Sequence, residues 1–234
     1  MPTQHGGYYT RDGSKVPSVT TVISRFKESG GLIKWGYGRG VEHERLRWQG
    51  KPAPTGLYDK GGETADAAQA GTIAHALVES HVKGENVIER AREWSDCDVS
   101  VKRRAWNAYE QYCEWQANSK IVLTHTEMPN VSEKHRFAGT LDALGVDAKG
   151  NRILVDFKTS NKVYGDHLIQ LGAYAILVEE NHPDLTPVGS HILRFAKETA
   201  DFAHHYYGEL EEEKRSFLLM RELYELTYKI GKRA

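Results

Sequence analysis

Cysteine is almost absent from this chain of 234 residues: Cys97 and Cys113 are the only two, sixteen positions apart. That excludes a disulfide scaffold, a C-x-x-C zinc knuckle and a four-cysteine iron-sulfur cluster. Long apolar runs are missing as well. No stretch approaches the roughly 18 to 20 residues of a membrane span, and the opening MPTQHGGYYTRDG lacks the apolar centre of a secretory signal, so no membrane partner and a cytoplasmic setting are expected. Neither charge is in surplus, with 31 basic against 32 acidic residues, and the chain as a whole does not carry the field of a strongly basic nucleic-acid binder. There is no G-x-x-x-x-G-K-[ST] phosphate loop, which argues against a P-loop nucleotide-driven motor in this stretch. Internal repeats, low-complexity tracts and long linkers are also lacking, which favours one α/β unit.

Apolar periodicity gives that unit its elements. A short strand or turn is expected near KVPSVTTVISRF, and the glycine-rich segment 30–62 reads as loops around a short helix. Helices follow at 64–83 and 99–118, the second placing Ala105, Ala108, Tyr109, Tyr112 and Trp115 on one side. Strands are expected at 121–131, 136–145 and 152–158, separated by the turns SEKH and DAKGN. A helix at 165–181, apolar almost all round, then a strand VGSHILRFAK, a possible edge strand FAHHYY and an amphipathic helix from about 210 to 228 complete the chain.

The strand ILVDFKTS is where chemistry enters. Asp156 and Lys158 lie two positions apart, so they project from the same face about 6 to 7 Å from each other along the strand. Charges on a core strand are costly unless paired, metal-bound or exposed in a cleft. The symmetric register about the DAKGN turn pairs Val146 with Arg152 and Leu144 with Leu154, and sets Asp142 opposite Asp156. Like charges directly across a ladder are destabilising. A divalent cation between them reverses the sign, and an oxygen-rich site with few protein ligands suits Mg²⁺ or Mn²⁺. The alternative is two separate surface aspartates, one of them simply paired with Lys158.

Four further stretches bear on that choice: GTIAHALVE with His75 and Glu79, THTEMP with Glu127, FAGTLDA with Asp142, and QLGAY with Gln170 and Tyr174. In this order, with DFKT, they resemble the RecB-like branch of the PD-(D/E)XK nuclease superfamily, which includes phage, bacterial and mitochondrial genome-maintenance exonucleases. The resemblance covers residues 64–180 and extends back to VPSVTTVI. It implies an α/β, restriction-endonuclease-like core at 64–200, a central mixed β-sheet flanked by helices. An N-terminal loop and helical decoration (1–63) and an edge strand with a C-terminal helix (201–234) would complete a single nuclease domain, 1–234. It also implies one or two Mg²⁺ or Mn²⁺ ions held by Asp142, Asp156, the Phe157 carbonyl and His75, with Glu127 and Glu79 as further candidates, and Lys158 beside the attacking water. Glu79 shares a helical face with His75 and reads equally well as its surface partner.

The implied activity is hydrolysis of DNA phosphodiesters by a stand-alone exonuclease of a bacterial or phage-infected cell, acting in recombination, replication or repair. A separate helicase, recombinase or single-strand-binding protein is the partner class that goes with it. Gln170, Tyr174, Thr159 and Ser160 are the implied DNA contacts, although Tyr174 also fits plain core packing. The segment 27–60 holds seven basic and four acidic residues with aromatics between them, so Trp35, Tyr37, Arg39, Arg47 and Trp48 are candidates for a stacking and phosphate-tracking wall. His204 and His205 read as edge-strand residues, and Lys102 to Arg104 as a solvated helix face. A structure-specific endonuclease, which needs a two-fold dimer, and a non-cutting nucleic-acid-binding module are the rival readings.

Overall fold

Alternating apolar residues build the sheet around which the chain is organised. The computed structural model describes residues 7–27, 30–51, 63–160, 162–195 and 202–233, without the side chains of 30–36, 39, 63 and 64. The N-terminal part is a minimal hairpin, β1 (Tyr8–Tyr9) and β2 (Lys15–Val16), followed by helices α1 (Val19–Phe26) and α2 (Gly30–Trp48). Then come α3 (Glu63–Val82), α4 (Val87–Arg92) and α5 (Val99–Ser119), and the strands β3 (Val122–Ser132), β4 (Phe137–Val146) and β5 (Arg152–Lys158). Helix α6 (Gly165–Asn181), strands β6 (Gly189–Phe195) and β7 (Phe202–Tyr207), and helix α7 (Glu211–Gly231) complete it.

The five long strands form one mixed sheet in the order β3-β4-β5-β6-β7, antiparallel except for the parallel pair β5 and β6 that α6 connects. A parallel neighbour requires such a crossover, because a tight turn can only reverse the chain. Each face of the sheet has its own apolar layer. Ile153, Val155 and Phe157 point to α3 and α5, where Leu77, Val101, Ala105, Tyr112 and Trp115 meet them. Leu154 and Ile192 point the other way, to Val19 and Val22 of α1, Leu171 to Val178 of α6 and Phe217 of α7. The sheet is thus buried on both faces, and α6 is itself enclosed between the sheet and helices α1 and α7, which explains its eight consecutive buried residues.

Helix starts follow local chemistry. The Ser18 hydroxyl accepts from the Thr21 amide and opens α1, and Asp98 accepts from the Ser100 amide to open α5. The β4–β5 turn is fixed by Asp147, whose Oδ1 accepts from the amides of Lys149 and Asn151 at 2.8 and 2.9 Å. Three expectations need correction. The stretch 19–26 is a helix, since Ser18 caps it and Val19, Val22 and Ile23 share one buried face. Residues 30–48 form one helix of 19 residues rather than loops around a short helix, and α4 adds a short helix. The remaining part of the expected loop region, 52–62, lies outside the described residues.

Candidate active site

Four elements converge at the end of the β4–β5 hairpin ladder: the middle of α3, the irregular centre of β3, and the two strands with the aspartates. The register expected from the turn is the one observed for Val146 with Arg152 and Leu144 with Leu154, and the ladder stops after Ala143 with Val155. Asp142 and Asp156 fall one position beyond the last pair. There the Phe157 amide donates instead to Asp142 Oδ2, at 2.7 Å.

Strand β4 turns over at this point. Leu141 and Leu144 lie three apart yet belong to the same apolar layer, which strict alternation forbids. Across from it, β3 pairs Thr126 with Ala143 and Met128 with Leu141 but skips the step between, where Glu127 has φ +48°. A glutamate in the left-handed region is uncommon and costs on the order of 1 kcal/mol or more, a kind of strain that clusters at functional sites. The result brings together His75, Glu127 and Asp142, whose ligand atoms all lie within 4.8 Å of one another. His75 Nδ1 is 3.8 Å from Asp142 Oδ1 and 3.9 Å from Glu127 Oε1. Those gaps are too long for hydrogen bonds, whereas donors about 2.1 Å from one Mg²⁺ ion sit about 3 to 4 Å from each other. The His75 ring is held edge-on to Phe157, with centroids 5.6 Å apart.

Asp156 lies outside this three-residue set. It is 0% exposed, neither of its oxygens accepts a well-formed hydrogen bond, and Lys158 Nζ stands 2.5 Å from Oδ2. Burial raises the Asp156 carboxyl to about 6 and the Asp142 charge adds to that, while Lys158 opposes both. For Lys158, burial acts to lower the pKa, but the charges of Asp156 and Asp142 outweigh it and hold the ammonium above its usual value. Glu127 is pushed up to about 7, by desolvation first and then by Asp142. Its side chain keeps 39% of its exposure, so solvent screens part of that effect. Carboxylates crowded against each other and short of water are the electrostatic signature of a site that takes up positive charge.

Two glycines let the elements approach. A Cβ on Gly71 of α3 would stand 2.8 Å from Thr159 Oγ1, just past the end of β5. One on Gly139 would stand 2.9 Å from Tyr174 Cε1 and 3.2 Å from Val19 Cγ2. Gly139→Ala is therefore expected to cost about 1 to 3 kcal/mol through overpacking. Urea denaturation measures this, and an unchanged midpoint would show that Tyr174 can retreat.

The other expected site residues divide. Glu79 pairs with Lys83, just past the end of α3, and is not in the three-residue set. Tyr174 is 4% exposed, and its hydroxyl accepts from Gln170 Nε2 at 2.7 Å. The ring packs from α6 against Gly139 of β4, as the core-packing alternative has it. Ser160 spends its hydroxyl on the Lys162 carbonyl, at 2.8 Å. Tyr37 and Trp48 stand out from α2, 76% and 87% exposed, and Arg47 pairs with Glu44 at 3.6 Å. The side chains of Trp35 and Arg39 lie outside the described ones. Sequence reasoning placed α6 but did not single out Asp166 and His167 at its start as neighbours of Lys158. Lys27 and Asp166 form an ion pair at 2.7 Å, Asp166 adds negative charge near Lys158, and His167 is lowered to about 4 by burial and by the Lys158 charge. The signal was available in the adjacent Asp-His that opens a helix soon after DFKTS.

No curated protein matches the chain. Among solved structures, SSO0001 is 14% identical with a TM-score of 0.35, covering 67% of this chain and 72% of its own. A candidate exonuclease of Eubacterium rectale is 10% identical with a TM-score of 0.44, and this chain spans only 64% of its length while 66% of this chain is covered. The alkaline exonuclease LHK-Exo of Laribacter hongkongensis, solved in complex with dAMP, is 12% identical with a TM-score of 0.36, covering 72% of this chain and 97% of that one. These likenesses are slight. The family model described as the PD-(D/E)XK nuclease superfamily is different in extent, since it matches residues 43–230, from within α2 through nearly all of α7. It takes in β4, β5 and the flanking helices on which the aspartates, the lysine and the histidine sit, and the chain belongs to the PD-(D/E)XK nuclease superfamily.

Proposed function

We propose that the chain is a divalent-metal-dependent DNA nuclease, and more specifically an exonuclease. The observation that carries the first part is the set His75, Glu127 and Asp142 beside the buried pair Asp156 and Lys158. The donors fit a cation: one imidazole and two carboxylates at shell spacing, beside Asp156, whose Oδ2 faces Lys158 and whose Oδ1 has no hydrogen-bond partner. His75, Glu127 and Asp142 would hold the ion, with Asp156 and the Phe157 carbonyl as the further ligands that the family resemblance implies. A mixed imidazole and carboxylate set suits Mn²⁺ as well as Mg²⁺. When bound, such an ion polarises the phosphoryl oxygen and lowers the pKa of water.

The chain's own residues do the rest. Lys158 is held as an ammonium, so it donates hydrogen bonds to the attacking water and to charge developing on the phosphate, and it does not act as a base. Asp156 fixes that ammonium in place. Phe157 fixes Asp142 through its amide and His75 through its ring. Exonuclease action rests on the likeness of GTIAHALVE, GTLDA, DFKT and QLGAY to the RecB-like branch. End-labelled linear and covalently closed circular DNA, single- and double-stranded, incubated with Mg²⁺, Mn²⁺ or chelator, tests both parts. Stepwise loss of linear substrate only in the presence of metal is expected. Cutting of closed circles would favour an endonuclease, and cutting in chelator would overturn the metal site.

Helix α2 supplies the proposed single-strand contact. Tyr37 and Trp48 are eleven residues apart, so they lie on one helical face about 16 Å from each other, with exposed Val41 between them. Alanine at both is expected to weaken single-stranded DNA binding by about 1 to 3 kcal/mol for each ring that stacks, without changing the melting temperature. Arg47→Glu is expected to reduce the log-log salt slope of binding by about 0.7. Fluorescence anisotropy with Ca²⁺ in place of Mg²⁺ measures both, and wild-type binding in both variants would place the strand elsewhere.

A further inference from the structure

Helix α7 has two apolar faces, and the fold uses only one. Phe217 and Arg221 are buried, and Leu218, Met220 and Tyr224 pack on the inner layer with α1 and α6. Leu219, Leu223, Leu226 and Ile230 face away from it, each between 47% and 63% exposed. Their spacing of four, three and four residues is the alternation that keeps one seam of a helix facing another helix along its length. It runs about 16 Å along the axis and presents an apolar strip on the order of a few hundred Å², a size that on monomeric proteins is often functional. Scattered single leucines need no explanation, but four in heptad register do.

We infer that this seam binds a second copy of the chain, α7 against α7 in antiparallel orientation about a two-fold axis between Leu223 and Leu226. The charges choose both the partner and the direction. The helix begins with Glu211, Glu212 and Glu213 and ends with Lys229, followed by Lys232 and Arg233. Antiparallel copies set each acidic start toward the other's basic end, whereas parallel copies would stack like charges and align the helix dipoles. The antiparallel axis layers Leu219 on the second copy's Ile230 and Leu223 on its Leu226. On the flank of that seam Glu222 comes within about 3 Å along the axis of the level of Lys229 of the other copy, within reach of both side chains, and the two-fold repeats the pair. Glu222 is exposed and forms no ion pair among the described residues, and Lys229 is held only loosely by Glu225, at 3.4 Å. A self-complementary patch of this kind closes as a dimer and does not propagate. The strip is smaller than a standard interface, so the dimer is concentration-dependent.

Sedimentation velocity of the full chain over a concentration series tests this without reference to nuclease activity. The wild type is expected to pass from monomer to dimer as concentration rises, and Leu226→Glu to remain monomeric with an unchanged melting temperature. Glu222→Lys and Lys229→Glu are each expected to weaken the dimer several-fold, and their combination to restore it. That last readout still decides if Leu226→Glu fails to fold. A wild type that stays monomeric at every concentration, or a dimer that survives Leu226→Glu, overturns the interface. A dimer indifferent to the charge exchange overturns the antiparallel pairing.

Discussion

Lys158→Met is expected to lower the cleavage rate by at least about 10² to 10³ and, in chelator, to destabilise the folded chain by about 3 kcal/mol. The two losses have different origins. The rate falls because the ammonium that faces the water and the developing phosphate charge is gone. Stability falls because Asp156, fully buried, loses the cation 2.5 Å from its Oδ2. Its carboxyl, already raised to about 6, then rises further. A carboxyl whose folded-state pKa lies above its unfolded value near 4 takes up protons more readily when folded, so its contribution to stability falls as pH rises through that interval. The stability deficit of the variant is therefore small up to about pH 6, below which both folded forms hold the proton, grows above it, and levels off above the new folded-state value. Adding Asp156→Asn should recover much of the stability and none of the activity. Urea melts at several pH values with single-turnover assays separate these effects. Wild-type turnover by Lys158→Met would sink the role given to the lysine, and a deficit independent of pH would sink the account of the pair.

The same pair shows what could be read from the chain and what could not. Asp156 and Lys158 on one face of β5, and the register through Leu144 and Leu154, follow from the two-residue period of a strand and from a turn whose residues fix its centre. Which partner Lys158 chooses does not follow, since the period places the groups but not their rotamers. Glu127 stood on a strand in the sequence. That it meets His75 and Asp142 depends on a turned-over β4 and on a left-handed residue that is a glutamate rather than the glycine that would mark such a position. The glycines mislead in the other direction. Residues 30–48 hold five of them, each costing a helix about 1 kcal/mol relative to alanine, so propensity alone argues against α2. Gly71 and Gly139 were legible as motif letters, while their purpose, room for Thr159 and Tyr174, appears only in three dimensions.

Asp142→Asn is expected to remove both cleavage and the rise in melting temperature that Mn²⁺ or Mg²⁺ gives the wild type. The carboxylate is the member of the three-residue set best placed to report on an ion. Its Oδ2 is already fixed by the Phe157 amide at 2.7 Å, and its Oδ1 faces His75 at 3.8 Å. Asparagine keeps the size and can keep the bond from Phe157, so the fold is expected to persist while one formal charge is lost. In chelator the variant should be no less stable than the wild type, because the like-charge pressure on Glu127 and Asp156 is relieved. A ligand that binds only the folded state must stabilise it by mass action, by about 2.7 kcal/mol at a hundredfold excess over Kd. The wild type should therefore show a concentration-dependent shift, and the variant should lose it. Wild-type metal affinity should rise with pH up to about 7, since a ligand carboxyl must shed its proton before it binds and Glu127 holds its own to about 7. Thermal melts in chelator and in a metal series, at pH 6 and pH 8, measure all three effects. A wild-type shift retained by Asp142→Asn would move the ion away from His75 and Glu127, and the absence of any shift in the wild type would remove the site altogether.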